Sequence, residues 1–225
     1  MFSSFSKRPT ISNTDGRSLL LPTGPWTHET VYAGGLNFHV VCLQQPLLTG
    51  TQPPVFFLHD FANTWLQWQS LLPLLTDFSA PVYALDARGF GNTDLSASRP
   101  TAQLLASDIR ALAYSLGYSQ INLVGVGMGA VYAAVVKYYY PDLVADTLLF
   151  TSDFPRRFVI QQLRKPKFPT AAYEYAFNRV FAWKRAGWTA KALLAEKEVV
   201  KHALGKENPL STELELSQII RARWA

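Results

Sequence analysis

The chain has 225 residues, 48% of them hydrophobic, 13% aromatic and 16% charged. That composition supplies a core and excludes a disordered tail or a coiled coil. The formal charge is +5, but it is uneven: residues 1–150 carry −2 and residues 151–225 carry +7, so the basic excess is not a property of the whole chain.

Cys42 is the only cysteine, so there is no intrachain disulfide and no cysteine-based metal site. No metal or cofactor is expected. The N-terminal stretch is polar and lacks the charged-then-apolar pattern of a signal peptide. The longest apolar-or-glycine run, Leu123–Val136, is glycine-broken and shorter than the roughly 18 residues of a spanning helix. A cytoplasmic protein with no membrane partner is the expectation.

Residues 1–28 are rich in Ser, Thr and Pro and read as an N-terminal arm. Glu29–Ala33 and Asn37–Gln44 flank Gly34-Gly35, which predicts a β-hairpin. Val55–Leu58 is a short apolar run typical of a strand buried on both faces. Trp65 to Leu75 has helical spacing, and Val82–Leu85 is a second buried strand. Thr101 caps a predicted helix that runs to Leu116 and stops at Gly117. Ile121–Val124 reads as a strand, Met128–Tyr140 as a helix ended by Pro141, and Ala145–Phe150 as a further strand. This alternation predicts an α/β fold with a mostly parallel sheet and flanking helices. After Asp153 the pattern becomes helical, with predicted helices at 171–183, 190–203 and 212–223.

In such folds, ligands bind beyond the C-terminal ends of the strands. Three segments lie there: the run from Phe57 through His59-Asp60-Phe61-Ala62 to Trp68, the run Asp86-Ala87-Arg88-Gly89-Phe90-Gly91-Asn92-Thr93-Asp94, and Gly125-Val126-Gly127-Met128-Gly129. In this order they resemble the α/β-hydrolase fold, in the branch of epoxide hydrolases, haloalkane dehalogenases and related esterases. The resemblance covers about residues 29–155, and the fold would be incomplete at the C-terminus. It implies a core over 29–153 and a helical cap-like region over 154–225. It also implies an oxyanion loop at His59–Ala62, a charged loop at Asp86–Asp94 and a nucleophile elbow at Gly125–Gly129.

The elbow carries a departure. The position where the family holds a nucleophile is Gly127, which has no side chain to attack a substrate. The N–H groups of Met128 and Phe61 are the implied oxyanion donors, and Asp60 replaces the glycine usual in that loop. His59 is read as a structural residue holding the loop. Asp86, Arg88 and Asp94 are read as tying their own loop together by ion pairs and turn hydrogen bonds. Trp65 is a candidate pocket-lining residue, against an alternative as core. Asp153 falls where some relatives place a catalytic acid, against an alternative as a helix cap. His202 is the only histidine beyond the elbow and reads as a packing or surface residue of a helix. The strands that would bring an acid and a catalytic histidine are expected to be missing.

The expected function is that of a catalytically impaired relative of small-ester, epoxide or haloalkane hydrolases, or a truncated enzyme. Its expected partner is a small apolar ligand. A second copy of the chain is the expected cover for an exposed sheet edge. Two alternatives compete. Gly125-x-Gly127-x-x-Ala130 also satisfies a dinucleotide-binding fingerprint. Arg156, Arg157, Arg164, Lys165 and Lys167 form a basic cluster that could serve an interaction protein. The cluster lacks a helix-turn-helix pattern and aromatic interleaving, so no nucleic-acid partner is expected.

Overall fold

A computed structural model of the chain describes residues 20–44, 52–60, 63–95, 101–150 and 213–224. The helices predicted over 171–183 and 190–203, the basic cluster, His202, Phe61 and Asp153 lie outside the described residues.

Six strands form one sheet: β1 (Trp26–Ala33), β2 (Leu36–Leu43), β3 (Val55–Leu58), β4 (Val82–Leu85), β5 (Ile121–Val126) and β6 (Val144–Phe150). Their spatial order is β1-β2-β4-β3-β5-β6. The β1–β2 and β2–β4 pairs are antiparallel; β4, β3, β5 and β6 are mutually parallel. The sheet is therefore mostly parallel, with an antiparallel hairpin at one edge. The hairpin turns at Gly34-Gly35 as its sequence predicts, and Ala33 pairs with Leu36. β1 begins at Trp26, three residues before the predicted start, and both Leu20 and Trp26 are buried. The end of the stretch read as an arm is thus packed.

Two apolar layers cover the sheet. On one face lie α1 (Ala102–Ser115) and α2 (Met128–Tyr139). Leu105, Ile109 and Leu112 of α1 and Val131, Val135 and Val136 of α2 pack there with Phe38, Phe56 and Leu123. The spacing of these residues is the apolar stripe of an amphipathic helix. Thr101 caps α1 as predicted, its hydroxyl accepting the Leu104 N–H at 3.1 Å. Such a cap supplies about 1 kcal/mol.

The other face is covered by Trp65, Trp68, Leu71, Leu72 and Leu75. The helical spacing of this stretch does not give one α-helix. It gives two 3-10 turns, Trp65–Trp68 and Leu72–Leu75. Pro73 lies in the second of them and has no N–H to continue a helix from Trp68 onward. A third helix, α3 (Glu213–Trp224), packs on this same face through Leu216, Ile220 and Trp224. It lies within the region read as cap-like.

Three polar contacts pin α3. Arg221 bonds both the Leu74 carbonyl and Asp77, each at 2.5 Å. Arg223 makes a two-pronged pair with Asp146 of β6, at 2.6 and 2.8 Å. The Trp224 indole N–H reaches the same carboxylate at 3.0 Å. The Arg223 bond, helped by Trp224 and the Thr147 N–H, holds the Asp146 carboxyl down at about 2. A carboxyl depressed in the folded state stabilises above its unfolded value and loses that contribution as pH falls. Acidification from about 4 towards about 2 should therefore loosen α3 first. Trp224 fluorescence should change across that interval ahead of global unfolding; coincident transitions would show that the clamp carries no separate stability. Among the described residues, no helix is long and apolar enough to cross a membrane.

Candidate functional site

The strand order reverses around β3, which lies between β4 and β5. A crevice opens at the C-terminal ends of strands at such a reversal. Leu58 at the end of β3 pairs with Gly125 of β5. The residues that follow each strand, His59-Asp60 and Gly127-Met128, are thereby neighbours.

Gly127 turns β5 into α2 at φ +55° and ψ −118°. Side-chain-bearing residues hold that conformation only under strain. The turn is tight. A Cβ on Gly125 would strike the Gly129 backbone, and one on Gly129 would strike the Leu58 carbonyl. Glycines two before and two after the turn are thus required by contact, as the elbow pattern implies.

The vacant space at Gly127 is filled from the loop that follows β3. A Cβ on Gly127 would overlap all three atoms of the Asp60 carboxyl group. Asp60 Oδ1 accepts the Met128 backbone N–H at 2.7 Å. The carboxylate therefore sits on the first turn of α2, where free N–H groups and the helix dipole favour negative charge. The Asp60 N–H donates to Gln67 Oε1 at 2.7 Å, which ties the loop to the first 3-10 turn.

His59 holds this loop from behind. Its Nδ1 lies 2.7 Å from the Asp60 carbonyl and its Nε2 accepts the Ala87 N–H at 3.1 Å. These two bonds assign the proton to Nδ1, because a carbonyl only accepts. Burial disfavours the charged ring and brings its pKa below the usual histidine value, although the Asp86 charge opposes this. Both nitrogens are engaged by backbone, so the ring has none left for a substrate.

Turn hydrogen bonds hold the Asp86–Asp94 loop as the sequence suggests, among them the Thr93 hydroxyl to the Asp86 carbonyl at 2.7 Å, but its ion pairs run to other elements. Asp86 and Arg88 do not pair with each other. Arg88 forms a buried two-pronged pair with Asp108 of α1, at 2.7 and 2.5 Å. Asp86 pairs with His39 Nδ1 of β2 at 2.7 Å and accepts the Trp65 and Asn92 N–H groups at 2.8 and 3.1 Å. Burial would raise the Asp86 carboxyl, but His39, the His59 charge and the Trp65 N–H outweigh it and hold it below the usual carboxylate range. Asp94 accepts the backbone and side-chain N–H groups of Asn37, both at 2.9 Å. The loop is thus tied to itself by turn bonds and outward to β2 and α1 by its charged side chains. The missed partners, His39 and Asp108, lie 47 and 20 residues away in sequence, and no local motif marks them.

Trp65 is fully buried; its indole N–H donates to the Leu20 carbonyl at 2.8 Å. Trp26 meets its ring edge-on at 5.4 Å, and His28 and His39 pack beside it. Its place is in the core, because Leu20, Trp26 and the hairpin histidines close the side that a ligand would need. Cys42 is no substitute nucleophile. Burial and the Glu29 carboxylate push its thiol up to about 12, so it stays protonated at neutral pH. No group of three or more metal-ligating side chains occurs among the described residues.

The chain is similar to known proteins. A family model described as the alpha/beta hydrolase family matches residues 55–221. Epoxide hydrolase 2 of Siraitia grosvenorii is 35% identical over 132 residues, 58% of this chain and 40% of its own. Epoxide hydrolase 4 of Homo sapiens is 32% identical over 160 residues, 69% of this chain and 42% of its own. The solved structure of VrEH2 superposes with a TM-score of 0.50 at 29% identity, covering 56% of this chain and 38% of that one. The chain thus spans about two fifths of the length of these relatives. The six-stranded sheet, the glycine elbow and these matches together identify the chain as a member of the alpha/beta hydrolase family, in its epoxide hydrolase-like branch.

Proposed function

We propose that this chain keeps the hydrolase scaffold without the covalent hydrolytic step, and that it holds a small apolar ligand between the sheet and its helical region. One observation carries the reading. The elbow residue is Gly127, and the Asp60 carboxylate occupies both the side-chain space at Gly127 and the Met128 N–H. An oxyanion would need that N–H to be open and directed at the substrate. Here it is already bonded to a negative charge, which repels a second one.

The relatives named epoxide hydrolases support the scaffold and the ligand class. In this reading the helical region over residues 154–225 supplies the cap, with α3 as its anchor on the sheet. The cytoplasm is the compartment that suits the single, half-buried thiol of Cys42.

The dinucleotide alternative draws no support from the same geometry. A pyrophosphate at the start of α2 would meet the Asp60 carboxylate, and like charges at that distance repel.

The experiment is a turnover assay on the full chain with styrene oxide and with p-nitrophenyl butyrate. Product formation should match buffer for both, while an apolar epoxide quenches tryptophan fluorescence saturably. Turnover above buffer would overturn the loss of catalysis; absence of any saturable quenching would overturn the ligand-binding part.

A further inference from the structure

His28 and His39 face each other across the β1–β2 hairpin, on the sheet face that carries Trp26 and Trp65. Their rings are nearly parallel, 11° apart, with centroids separated by 5.2 Å. His28 Nδ1 lies 3.0 Å from His39 Nε2. The two outer nitrogens are engaged as well. His28 Nε2 lies 3.0 Å from the Pro22 carbonyl oxygen, and His39 Nδ1 lies 2.7 Å from Asp86 Oδ2.

The hydrogens in this row can be counted. The Pro22 carbonyl and the Asp86 carboxylate only accept, so His28 Nε2 and His39 Nδ1 must each carry a hydrogen. The nitrogen–nitrogen contact requires one more. Two neutral imidazoles carry one hydrogen each, and this row needs a third. We infer that His28 and His39 share one extra proton, and that this cationic pair, neutralised by Asp86, is a pH-sensitive latch on the loop that holds His59.

The latch reaches the elbow through contacts already described. Asp86 gathers His39, the Trp65 N–H and the Asn92 N–H. The next N–H, that of Ala87, donates to His59, whose other nitrogen contacts the Asp60 carbonyl. The Asp60 carboxylate rests on Met128. This is a contiguous row from the hairpin to the first turn of α2, with the histidine pair at its hairpin end.

The pair is satisfied over a single window. Loss of the shared proton at higher pH leaves one of the three contacts without a hydrogen. Gain of a second proton at lower pH points two N–H groups at each other across 3.0 Å.

Among the described residues, the other charged groups nearby are few. Asp86 contacts His39 directly, and His59 acts on Asp86 through its charge. Glu29 of β1 interacts with Cys42, on the opposite face of the hairpin. On the following loop, Asp94 is bonded to Asn37, and Arg88 is paired with Asp108 on the α1 side. Tyr83 of β4 faces Phe56 and Tyr118 on that side as well. The 20–25 segment and the Trp65–Trp68 turn contribute no ionisable side chain.

The test uses the full-length chain labelled with nitrogen-15, followed by NMR from about pH 4 to about pH 9, the range around the histidine transition. Within the window the two rings should report three nitrogen-bound hydrogens in total. The Ala87 and Met128 amide signals should shift at the same midpoints as the rings. A total of two nitrogen-bound hydrogens, or an Ala87 amide that stays still while the rings titrate, would overturn the inference. In a folded His28→Asn variant the Ala87 shift should vanish, and its persistence would also overturn it. The titration of the unaltered chain decides the matter without any variant.

Discussion

Gly127→Ala should destabilise the chain through two separable effects. The backbone at φ +55° and ψ −118° costs a side-chain-bearing residue about 1–3 kcal/mol of strain. Overlap with the Asp60 carboxyl group adds about 1–3 kcal/mol of overpacking. Restoring a nucleophile with Gly127→Asp or Gly127→Ser meets the same overlap, so neither substitution alone should recover hydrolysis. Asp60→Gly removes the obstruction and reopens the Met128 N–H. A double-mutant cycle by urea denaturation should then show a favourable coupling of about 1–3 kcal/mol between positions 60 and 127. Strict additivity would mean that the loop moves aside at no cost and that the two residues are independent.

Asp86→Ala should cost about 3–5 kcal/mol, the range for removing one partner of a buried ion pair. Asp86 is fully buried, and its loss would strand the Trp65 and Asn92 N–H groups together with His39 Nδ1. Asp94→Ala removes two bonds from Asn37 at an exposed site, and about 1 kcal/mol is expected there. The contrast is the prediction. Equal effects from the two aspartates would show that the loop is held by its own turns and not by its anchors. The pH dependence has a defined sign. The folded Asp86 carboxyl is held below its ordinary range, so its contribution is present above the unfolded value and is lost as pH falls through the folded one.

Local signals identified much of this architecture. The strands at Val55–Leu58 and Val82–Leu85 lie where apolar runs mark them, and Gly34-Gly35 turns the hairpin. Thr101 and Gly117 bound α1 as capping residues do. The elbow is legible because its glycines answer to contacts within a few residues and with the neighbouring strand. The 3-10 turns at Trp65–Leu75 are not legible in the sequence, because apolar spacing does not separate an α-helix from two tighter turns around Pro73. The anchors of the charged loop were not legible at all. An aspartate and an arginine two residues apart suggest a mutual pair, yet each reaches a different element of the folded chain. Asp60 shows the same limit. Its replacement of a glycine is visible in the sequence, but its seat at Gly127 depends on the pairing of β3 with β5.

The most direct measurement is intact-mass spectrometry of the full chain after incubation with excess styrene oxide, run beside a turnover assay on the same sample. A chain with Gly127 at the elbow and Asp60 lodged on Met128 should return its unmodified mass and no diol above buffer. A covalent adduct that forms and then clears with turnover would contradict the account, since it would show a working nucleophile at this site.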